Sequence, residues 1–214
     1  MAGKTRVAVI YGGVSSEHEI SCISAGSVLR AIDRSHYEVV ALGITKSGRW
    51  VIQSGDANSL QVVDGVFPVV DQASAPADAL AQLANVDVAF PVLHGPYGED
   101  GTIQGLLEMA NVPYVGSGVF ASAACMDKAH MKSMLSAAGL PIGAYEVVTD
   151  YQWTHDKQES LQRIATLGFP VFVKPSRAGS SVGISKVKSA DALEAAIVEA
   201  RKYDPKVIIE ASVE

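Results

Sequence analysis

A lysine at the end of an apolar segment, followed at once by small residues, is the strongest chemical signal in the chain. Residues 169–175 read Phe-Pro-Val-Phe-Val-Lys-Pro, which is typical of a core strand that ends at Lys174. Burying an unpaired lysine is costly, so such a lysine normally has an anionic partner. The loop at 178–181 leaves backbone N–H groups free to surround phosphate oxygens, and Ser180 and Ser181 add hydroxyls. We therefore predict a phosphate site, with a flexible surface hairpin as the alternative.

Two further segments are compatible with a bound nucleotide. Lys128 lies at the start of a predicted helix, where the helix dipole disfavours a cation unless an anion is near. The alternative for Lys128 is a solvated surface lysine. Residues 207–210, Val-Ile-Ile-Glu, have a buried-strand pattern that ends in a carboxylate. A strand edge with one acceptor suits an adenine, and a plain edge strand is equally consistent with the pattern.

The first glycine-rich loop carries an acid in place of a phosphate motif. Residues 12–19 read Gly-Gly-Val-Ser-Ser-Glu-His-Glu, which lacks the G-x-G-x-x-G spacing of dinucleotide loops. Glu17 falls in the first turn of the helix that follows, where it would repel a pyrophosphate and suits a cationic group such as an ammonium. The alternative is a solvated Glu17 that only favours the helix dipole.

A second loop combines a histidine with two acids. Residues 94–101 read His-Gly-Pro-Tyr-Gly-Glu-Asp-Gly and follow a buried-strand pattern. Glycines let the backbone approach a ligand, and an imidazole beside two carboxylates suits a substrate loop. The alternative is a turn histidine, His94, without a role. The spacing matches neither a zinc site nor a Ser-His-Asp triad, and we expect no metal ligands within the chain.

These loops need a sheet whose strand ends present them together. Strand patterns run over 6–11, 37–44, 48–52 and 87–93. Because helical patterns alternate with them, we predict a doubly wound, Rossmann-like α/β domain with a parallel sheet. Ser16 and Glu19 have the spacing of a capping box for the first helix, and Thr102 is expected to cap a later one. Both loops then fall beyond the carboxyl ends of strands, where ligands gather in such sheets.

The pattern changes after Met126. Asp127 is placed to cap a helix that ends at Gly139. Strand patterns then run over 144–149, 169–174, 182–187 and 207–213, with helices near 156–167 and 189–202. This order predicts an α+β domain with a partly antiparallel sheet. We predict a boundary near 120–127 and two domains, residues 1–122 and 123–214.

Composition argues against several classes of protein. The chain has 23 Asp and Glu against 17 Lys and Arg, a formal net charge of −6, which disfavours general binding to nucleic acid or anionic membranes. No apolar run approaches the ~18 residues of a membrane span, and we expect no signal peptide. Cys22 and Cys125 lie in apolar, helix-like contexts, so we predict two buried thiols and a reducing, cytoplasmic location.

Five segments, in this order, resemble the D-alanine–D-alanine ligases of the ATP-grasp superfamily. They are residues 12–21 (GGVSSEHEIS), 94–105 (HGPYGEDGTIQG), 115–128 (VGSGVFASAACMDK), 173–184 (VKPSRAGSSVGI) and 207–211 (VIIEA). The second and fourth segments are the most specific. The resemblance implies a pre-ATP-grasp substrate domain followed by the first, central subdomain of an ATP-grasp fold, incomplete at residue 214.

The resemblance implies ATP-dependent ligation of two D-alanines through an acyl phosphate, for peptidoglycan and cell-wall synthesis. Glu17 would hold the ammonium of the first D-alanine, with Ser180 in the same hydrogen-bond network and His94 beside the substrate carboxylate. Two lysines would bind the ATP phosphates, the glycine-serine loop would cover them, and an aromatic ring would lie against the adenine. The residues so assigned to ATP are Lys128, Phe172, Lys174, Gly179, Ser180, Ser181, Val182, Glu210, Ala211 and Val213.

The resemblance also implies parts that these 214 residues do not contain. In this family the Mg²⁺ ligands lie in the last third of the enzyme, so they are expected beyond residue 214, and the 214 residues alone are expected to have negligible ligase activity. The second substrate, D-alanine, D-lactate or D-serine, depends largely on residues in that part too. The family usually forms homodimers. The open alternatives are another ATP-grasp ligase, which the Glu17 and His94 loops disfavour, and a non-catalytic nucleotide-binding module.

Overall fold

The chain divides into two compact units, Met1–Ala123 and Ala124–Glu214. A computed structural model describes residues 3–213. Each unit contains one four-stranded sheet with its own core.

The sheet of the first unit is mostly parallel. Its strands are β1 (Thr5–Gly12), β2 (Tyr37–Ile44), β3 (Trp50–Gln53) and β4 (Val88–Pro91). Their order is β3-β2-β1-β4, with β1 parallel to both β2 and β4, and β3 antiparallel at one edge. The helices that begin in this unit are α1 (His18–Ala31), α2 (Ala79–Leu83), α3 (Thr102–Met109) and α4 (Val119–Met126), with a short 3₁₀ helix at Ala57–Leu60.

Helices cover both faces of this sheet. On one face, Val9 and Tyr11 of β1 pack in the same cluster as Leu29 of α1. On the other face, Ile10 shares a cluster with Leu107 of α3. The α/β prediction for this unit is therefore confirmed, and β1 is buried on both sides because its residues alternate between two cores.

The start of α1 differs from the sequence prediction. The helix begins at His18 with Glu17 at the N-cap, so Ser16 forms no capping box. Ile20, although apolar, is 47% exposed. The buried face instead carries small residues, because the helix approaches its neighbours closely. At Gly26 a Cβ would lie 2.8 Å from the Leu60 carbonyl oxygen.

The two cysteines differ in environment. Cys22 lies fully buried in α1, and burial, with the nearby charge of Glu19, raises the pKa of its thiol to about 12. The prediction of a buried thiol is confirmed there. It is wrong for Cys125, which is exposed. Both cysteines are free.

The sheet of the second unit is antiparallel between all adjacent strands. Its strands are β5 (Tyr145–Val148), β6 (Val171–Pro175), β7 (Ser185–Val187) and β8 (Val207–Ala211) in the order β5-β8-β6-β7. The helices are α5 (Lys128–Ala137), α6 (Asp150–His155), α7 (Lys157–Ala165) and α8 (Leu193–Ala200), the last preceded by a 3₁₀ turn at Ala190–Ala192. The partly antiparallel sheet predicted from the sequence is thus fully antiparallel.

One face of this second sheet packs into the hydrophobic core of the unit. Val171 and Val173 of β6, with Val207 and Ile209 of β8, pack in one cluster with Ile197 of α8. Because side chains alternate along a strand, the residues between them point to the opposite face. That opposite face carries Phe172, Lys174 and Glu210.

Ser21 joins the ends of two parallel strands in the first unit. Its buried hydroxyl donates to the Val92 carbonyl at 2.6 Å, just after β4, and accepts from the Gly12 N–H at 2.8 Å, at the end of β1. A single oxygen therefore sets where both strands stop and where their loops begin.

We expect Ser21→Ala to lower the free energy of unfolding of the first unit by about 1–3 kcal/mol, because two buried backbone groups lose their partner. Urea unfolding followed by Trp50 fluorescence in a Trp153→Phe background measures this unit alone. Ser27→Ala is the matched control, since Ser27 lies on the exposed side of the same helix, where its hydroxyl donates to the Ile23 carbonyl and accepts from Arg30. Equal effects of the two changes would contradict the role of Ser21.

Candidate functional site

Glu17 and the His94 loop come together at the carboxyl ends of two neighbouring strands. Glu17 follows β1, the loop follows β4, and these strands are adjacent in the sheet. A Cβ on Gly95 would lie 2.5 Å from Glu17 Oε2, and Gly95 has φ +71°. Glycine is therefore needed there both for its backbone conformation and for the approach of the carboxylate. Two motifs that were separate in the sequence form one site.

Two serines position His94. Ser24 Oγ of α1 lies 3.0 Å from His94 Nε2, and Ser15 Oγ donates to the His94 carbonyl at 2.8 Å. The imidazole and the backbone of the residue are thus fixed from the same helix and its leading loop. The sequence prediction did not include either serine, although both lie within ten residues of Glu17.

His18 holds the glycine loop before Glu17 through two hydrogen bonds of its ring. The ring is fully buried, and its Nε2 accepts from the Val70 N–H at 3.1 Å. Its Nδ1 lies 2.6 Å from the Gly13 carbonyl oxygen, so Nδ1 carries the proton that is donated to Gly13. This ring joins the 12–17 loop to the segment around residue 70.

The two acids of the 94–101 loop stabilise the loop itself. Glu99 accepts from the Gly95 N–H, and Asp100 accepts from the N–H groups of Tyr97 and Thr102. Burial raises the pKa of Asp100, but the hydrogen bonds from Tyr97 and Thr102 lower it more, so its net pKa is below the usual value. Thr102 was predicted as a helix cap and is instead the first residue of α3.

A cavity of about 530 Å³ opens at this edge of the sheet. Most of its lining is apolar, and His94 brings a polar group to it. The lining residues are Gly12, Gly13, Val14, Ile44, Gly48, Trp50, Leu93, His94, Pro96, Tyr97, Gly98, Thr102, Ile103 and Leu106. It is large enough for a small organic molecule.

In the second unit, Lys128 is anchored to the end of β6. Its Nζ donates to the Ala178 carbonyl at 2.6 Å and to the Pro175 carbonyl at 3.3 Å, and the side chain is half-buried. It is therefore not a freely solvated surface lysine. Burial lowers the pKa of Lys128, and the positive charge of Lys174 lowers it further.

The loop after Lys174 has a backbone suited to anions. Ser180 (φ +48°), Ser181 (φ +59°) and Gly183 (φ +69°) adopt the left-handed conformation, which is uncommon for residues other than glycine. Such local strain clusters at ligand-binding sites. Gly179, Ser180 and Ser181 are exposed, and Val182 is half-buried with its N–H bonded to the Gly179 carbonyl at 3.2 Å.

A row of side chains crosses the face of the second sheet opposite the core cluster. Strand register pairs Tyr145 with Glu210, Glu210 with Phe172, and Phe172 with Lys186. Directly paired residues share one face, so Glu210 lies beside the Phe172 ring. The ammonium groups of Lys174 and Lys186 lie 5.7 and 5.4 Å from the centre of that ring.

Glu210 is paired with two lysines. Lys174 contacts its Oε2, and Lys132 Nζ lies 2.8 Å from its Oε1. Burial raises the pKa of Glu210, but the hydrogen bonds from Lys132 and Lys174 lower it more, so it is held as a carboxylate. Lys132 and Lys186 were absent from the sequence prediction. Lys132 lies one helical turn after Lys128, and that spacing was the available signal.

Ala211 and Val213 lie at the end of this row. The Ala211 N–H donates to the Ala144 carbonyl at 3.0 Å, and the Ser212 N–H donates to the Pro170 carbonyl at 3.1 Å. Both backbone groups are therefore engaged within the unit, while the Val213 side chain is 81% exposed.

Charge is divided unequally between the units. Residues 1–123 contain 6 Lys and Arg against 12 Asp and Glu, whereas residues 124–214 contain 11 of each. The whole formal charge of −6 therefore belongs to the first unit. The second unit is neutral overall, which makes the concentration of lysines around Phe172 and Glu210 a local feature.

The structure gives no metal site in the described part of the chain. Among residues 3–213, no three His, Cys, Asp or Glu side chains are grouped as a metal ion would require. No helix in the same range is both long enough and apolar enough to cross a membrane.

The fold and the two candidate sites define an α/β protein of two units, one with an acid and a histidine at its strand ends and one with lysines beside a strained glycine-serine loop. Comparison with known proteins specifies this class further. The family described as D-ala D-ala ligase N-terminus matches residues 6–117, and the family D-ala D-ala ligase C-terminus matches residues 134–214. The chain belongs to the D-alanine–D-alanine ligase family.

Individual relatives agree with this assignment. The chain is 54% identical to a D-alanine–D-alanine ligase of Mycolicibacterium smegmatis and 48% identical to one of Paenarthrobacter aurescens, over 99% and 100% of its length. It spans about 60% of the length of these relatives.

Among solved structures, the chain is similar to the VanG D-Ala:D-Ser ligase of Enterococcus faecalis. The TM-score is 0.80 at 32% identity, covering 99% of this chain and 64% of that one. It is also similar to the D-alanine–D-alanine ligase of Coxiella burnetii, with a TM-score of 0.76 at 31% identity, covering 100% and 63%.

Asp127 fixes the start of α5 and hence Lys128. It is buried and caps the helix through the N–H groups of Ala129 and His130. It also accepts from Ser176 Oγ at 2.8 Å and pairs with Lys206. Burial raises the pKa of Asp127, but the bonds from Lys206 and Ser176 lower it far more, so its folded-state pKa lies well below the usual range.

We expect the stability contributed by Asp127 to depend on pH. Its folded-state pKa is below the value of about 3.9 in an unfolded chain, so this stability is complete above that value and is lost as the pH falls. Asp127→Asn keeps a helix cap but loses the ion pair with Lys206, which we expect to cost about 1–3 kcal/mol at pH 7. Urea unfolding from pH 7 to 3, followed by Trp153 in a Trp50→Phe background, should show the difference from the wild type shrinking below about pH 4.

The matched control is Asp156→Asn in the same unit. Asp156 is an exposed N-cap residue of α7 whose side chain makes no capping hydrogen bond. Its substitution should change stability little at any pH. A wild-type difference for Asp127→Asn that stays constant down to pH 3 would refute the assigned coupling.

Proposed function

We propose that the chain is the substrate-binding and first nucleotide-binding part of an ATP-dependent D-alanine–D-alanine ligase. Within this proposal, residues 1–122 form the pre-ATP-grasp substrate domain and residues 123–214 the central subdomain of the ATP-grasp fold. The observation that carries it is Lys128 bonded to the Ala178 carbonyl of the strained 178–183 loop, which follows Lys174 of β6, in a chain whose two halves match the two ligase families in order.

The nucleotide end of the proposal rests on local charge and shape. Lys128 and Lys174 supply the positive charge for the ATP phosphates, and the backbone of Gly179, Ser180, Ser181 and Val182 covers them. Phosphoryl transfer depends mainly on positioning and electrostatic stabilisation, which is what fixed ammonium groups supply. Phe172 offers a flat face for adenine, and Glu210, Ala211 and Val213 lie along the strand end beside it.

The substrate end rests on the pairing of an acid with an imidazole. Glu17 is a half-buried carboxylate beside the His94 loop, and we propose that it binds the ammonium of the first D-alanine. His94, oriented by Ser24, is proposed to lie beside the substrate carboxylate. The acidic first unit favours an amine-bearing ligand there.

The reaction proposed for the whole enzyme has two steps. A carboxylate oxygen of the first D-alanine forms a bond to the γ-phosphorus of ATP, and the bond from that phosphorus to the bridging oxygen breaks, which releases ADP. The amine of the second D-alanine, after losing a proton, forms a bond to the acyl carbon, and inorganic phosphate leaves. Mg²⁺ would stabilise the phosphate charge. Among residues 3–213, no three His, Cys, Asp or Glu side chains are grouped to hold it.

We expect the 214-residue chain to bind ATP at best weakly, without dependence on magnesium, and Lys174→Met to weaken this binding further. Loss of a charge-assisted phosphate contact should lower the affinity for ATP at least about tenfold. Isothermal titration with ATP measures the affinity, and a melting-temperature rise with ATP but not with NAD gives an independent check. Lys202→Met is the control, because Lys202 is an exposed lysine paired only with Glu199 among the ion pairs found for it. A rise with NAD and none with ATP would refute the proposal.

We also expect Glu17→Gln to weaken the binding of D-alanine. The change keeps the shape of the side chain and removes the charge that holds the ammonium, so the Kd should rise about tenfold or more. NMR titration of the chain with D-alanine, with L-alanine for comparison, measures this. Glu19→Gln, in the first turn of α1, is the matched control, since Glu19 pairs with Lys46. Equal weakening by both changes would argue for a general effect of acidity in place of a specific contact.

Two further properties belong to the proposal. We propose a homodimer, as is usual in the family, and a cytoplasmic location, which the two free thiols support.

A further inference from the structure

Lys132 is a nearly buried cation that the proposed reaction does not use. Its side chain is 13% exposed, less than the 25% of Lys174. Its Nζ lies 2.8 Å from Glu210 Oε1, 3.3 Å from the Gly143 carbonyl oxygen and 5.3 Å from the centre of the Tyr145 ring. A carboxylate, a carbonyl and an aromatic face therefore all hold this ammonium in one place.

The two oxygens of Glu210 have different partners. Oε1 is bound by Lys132 from α5, and Oε2 is bound by Lys174 from β6. Lys174 follows Phe172 on the same strand face and is the lysine nearer the phosphate loop in sequence. Lys132 instead projects from a helix and is also held by the Gly143 carbonyl and the Tyr145 ring.

A phosphate bound by Lys174 would compete with Glu210 for the same ammonium. With only Lys174 as partner, Glu210 would then be a half-buried carboxylate without a counter-charge, which is unfavourable. Lys132 removes this conflict because it stays on Oε1 while Oε2 becomes available as an acceptor beside the Phe172 ring.

We propose that Lys132 is a positioning residue for the nucleotide base: it holds Glu210 in place so that Oε2 accepts a hydrogen bond from the 6-amino group of adenine while Lys174 turns to the phosphates. This role rests on the nucleotide site proposed above. It makes Lys132 a determinant of selectivity for a 6-aminopurine over a 6-oxopurine, because a carboxylate attracts the amino donor and repels the carbonyl oxygen.

The test compares three ligands on the 214-residue chain. ATP carries the amino group, inosine triphosphate differs from it by a 6-oxo group, and inorganic tripolyphosphate has no base. Lys132→Met should raise the Kd for ATP about tenfold, as expected for a lost charge-assisted contact, and change the Kd for the other two by less than about threefold. Lys132→Arg, which keeps the charge on Glu210, should restore most of the ATP affinity.

A double-mutant cycle tests whether Lys132 acts through Glu210. In a Glu210→Gln background, adding Lys132→Met should weaken ATP little further, because the carboxylate that it positions is gone. Lys202→Met serves again as the control for loss of a lysine charge elsewhere in the unit. The melting temperature of each variant, measured without ligand, separates loss of binding from loss of folding.

The outcomes are distinct. Equal weakening of ATP, inosine triphosphate and tripolyphosphate by Lys132→Met would make Lys132 a general phosphate cation and overturn the proposal. Unchanged ATP binding by a folded Lys132→Met chain would also overturn it while leaving the nucleotide site intact. A wild-type chain that binds neither ATP nor tripolyphosphate would refute the nucleotide site itself, and the role of Lys132 with it.

Discussion

A cation on a half-buried sheet face needs a counter-charge, and in the second unit the carboxylate of Glu210 supplies it. One carboxylate serves two lysines that come from different elements, α5 and β6. The core on the other face of the sheet keeps β6 and β8 in register, so Lys174, Phe172 and Glu210 cannot move apart without breaking apolar packing. The position of the charged groups is thus set by the uncharged ones behind them.

Asp127, the residue before Lys128, is likewise a charged side chain whose burial is balanced by its partners. A buried aspartate is stable there because a helix N-terminus, a serine hydroxyl and Lys206 all donate to it. Its bonds connect α5, the end of β6 and the start of β8. Charged and polar contacts of Asp127 therefore fix the start of α5, whereas apolar contacts hold the rest of the unit. Lys128 is the first residue of this helix.

The sequence prediction placed Lys174 and Glu210 at the ends of buried strands, and the structure has strands there. The apolar patterns around Lys174 and Glu210 are strands that deliver these residues to one face, because alternation along a strand is a local property. Lys132 could not be placed in the same way. Its spacing from Lys128 puts both on one side of α5, but only the packing of α5 decides that this side meets Glu210.

Local capping patterns gave mixed results for a similar reason. Ser16 and Glu19 have the spacing of a capping box and do not form one, since Ser15 beside them bonds to the distant His94 carbonyl and α1 starts later. Thr149 and Gln152 do form a capping box, at the start of α6, a helix that the sequence prediction missed. A six-residue helix has too few periodic positions to be detected by its apolar pattern. A pattern of this kind predicts a helix only where no long-range partner competes for its side chains.

The bridge made by Ser21 has a consequence for the order in which the first unit assembles. The Ser21 hydroxyl joins the end of β1 to Val92, which lies 71 residues after Ser21, whereas β1, α1 and β2 follow each other directly. Closing a long loop costs more entropy than closing a short one, so the β1-α1-β2 unit can form before β4 docks on β1. Glu17 is in its place early, and the His94 loop reaches it only with β4. In a newly made chain, the edge where Glu17 meets the His94 loop therefore forms last. Any partial opening that releases β4 removes that edge first while leaving β1, α1 and β2 paired.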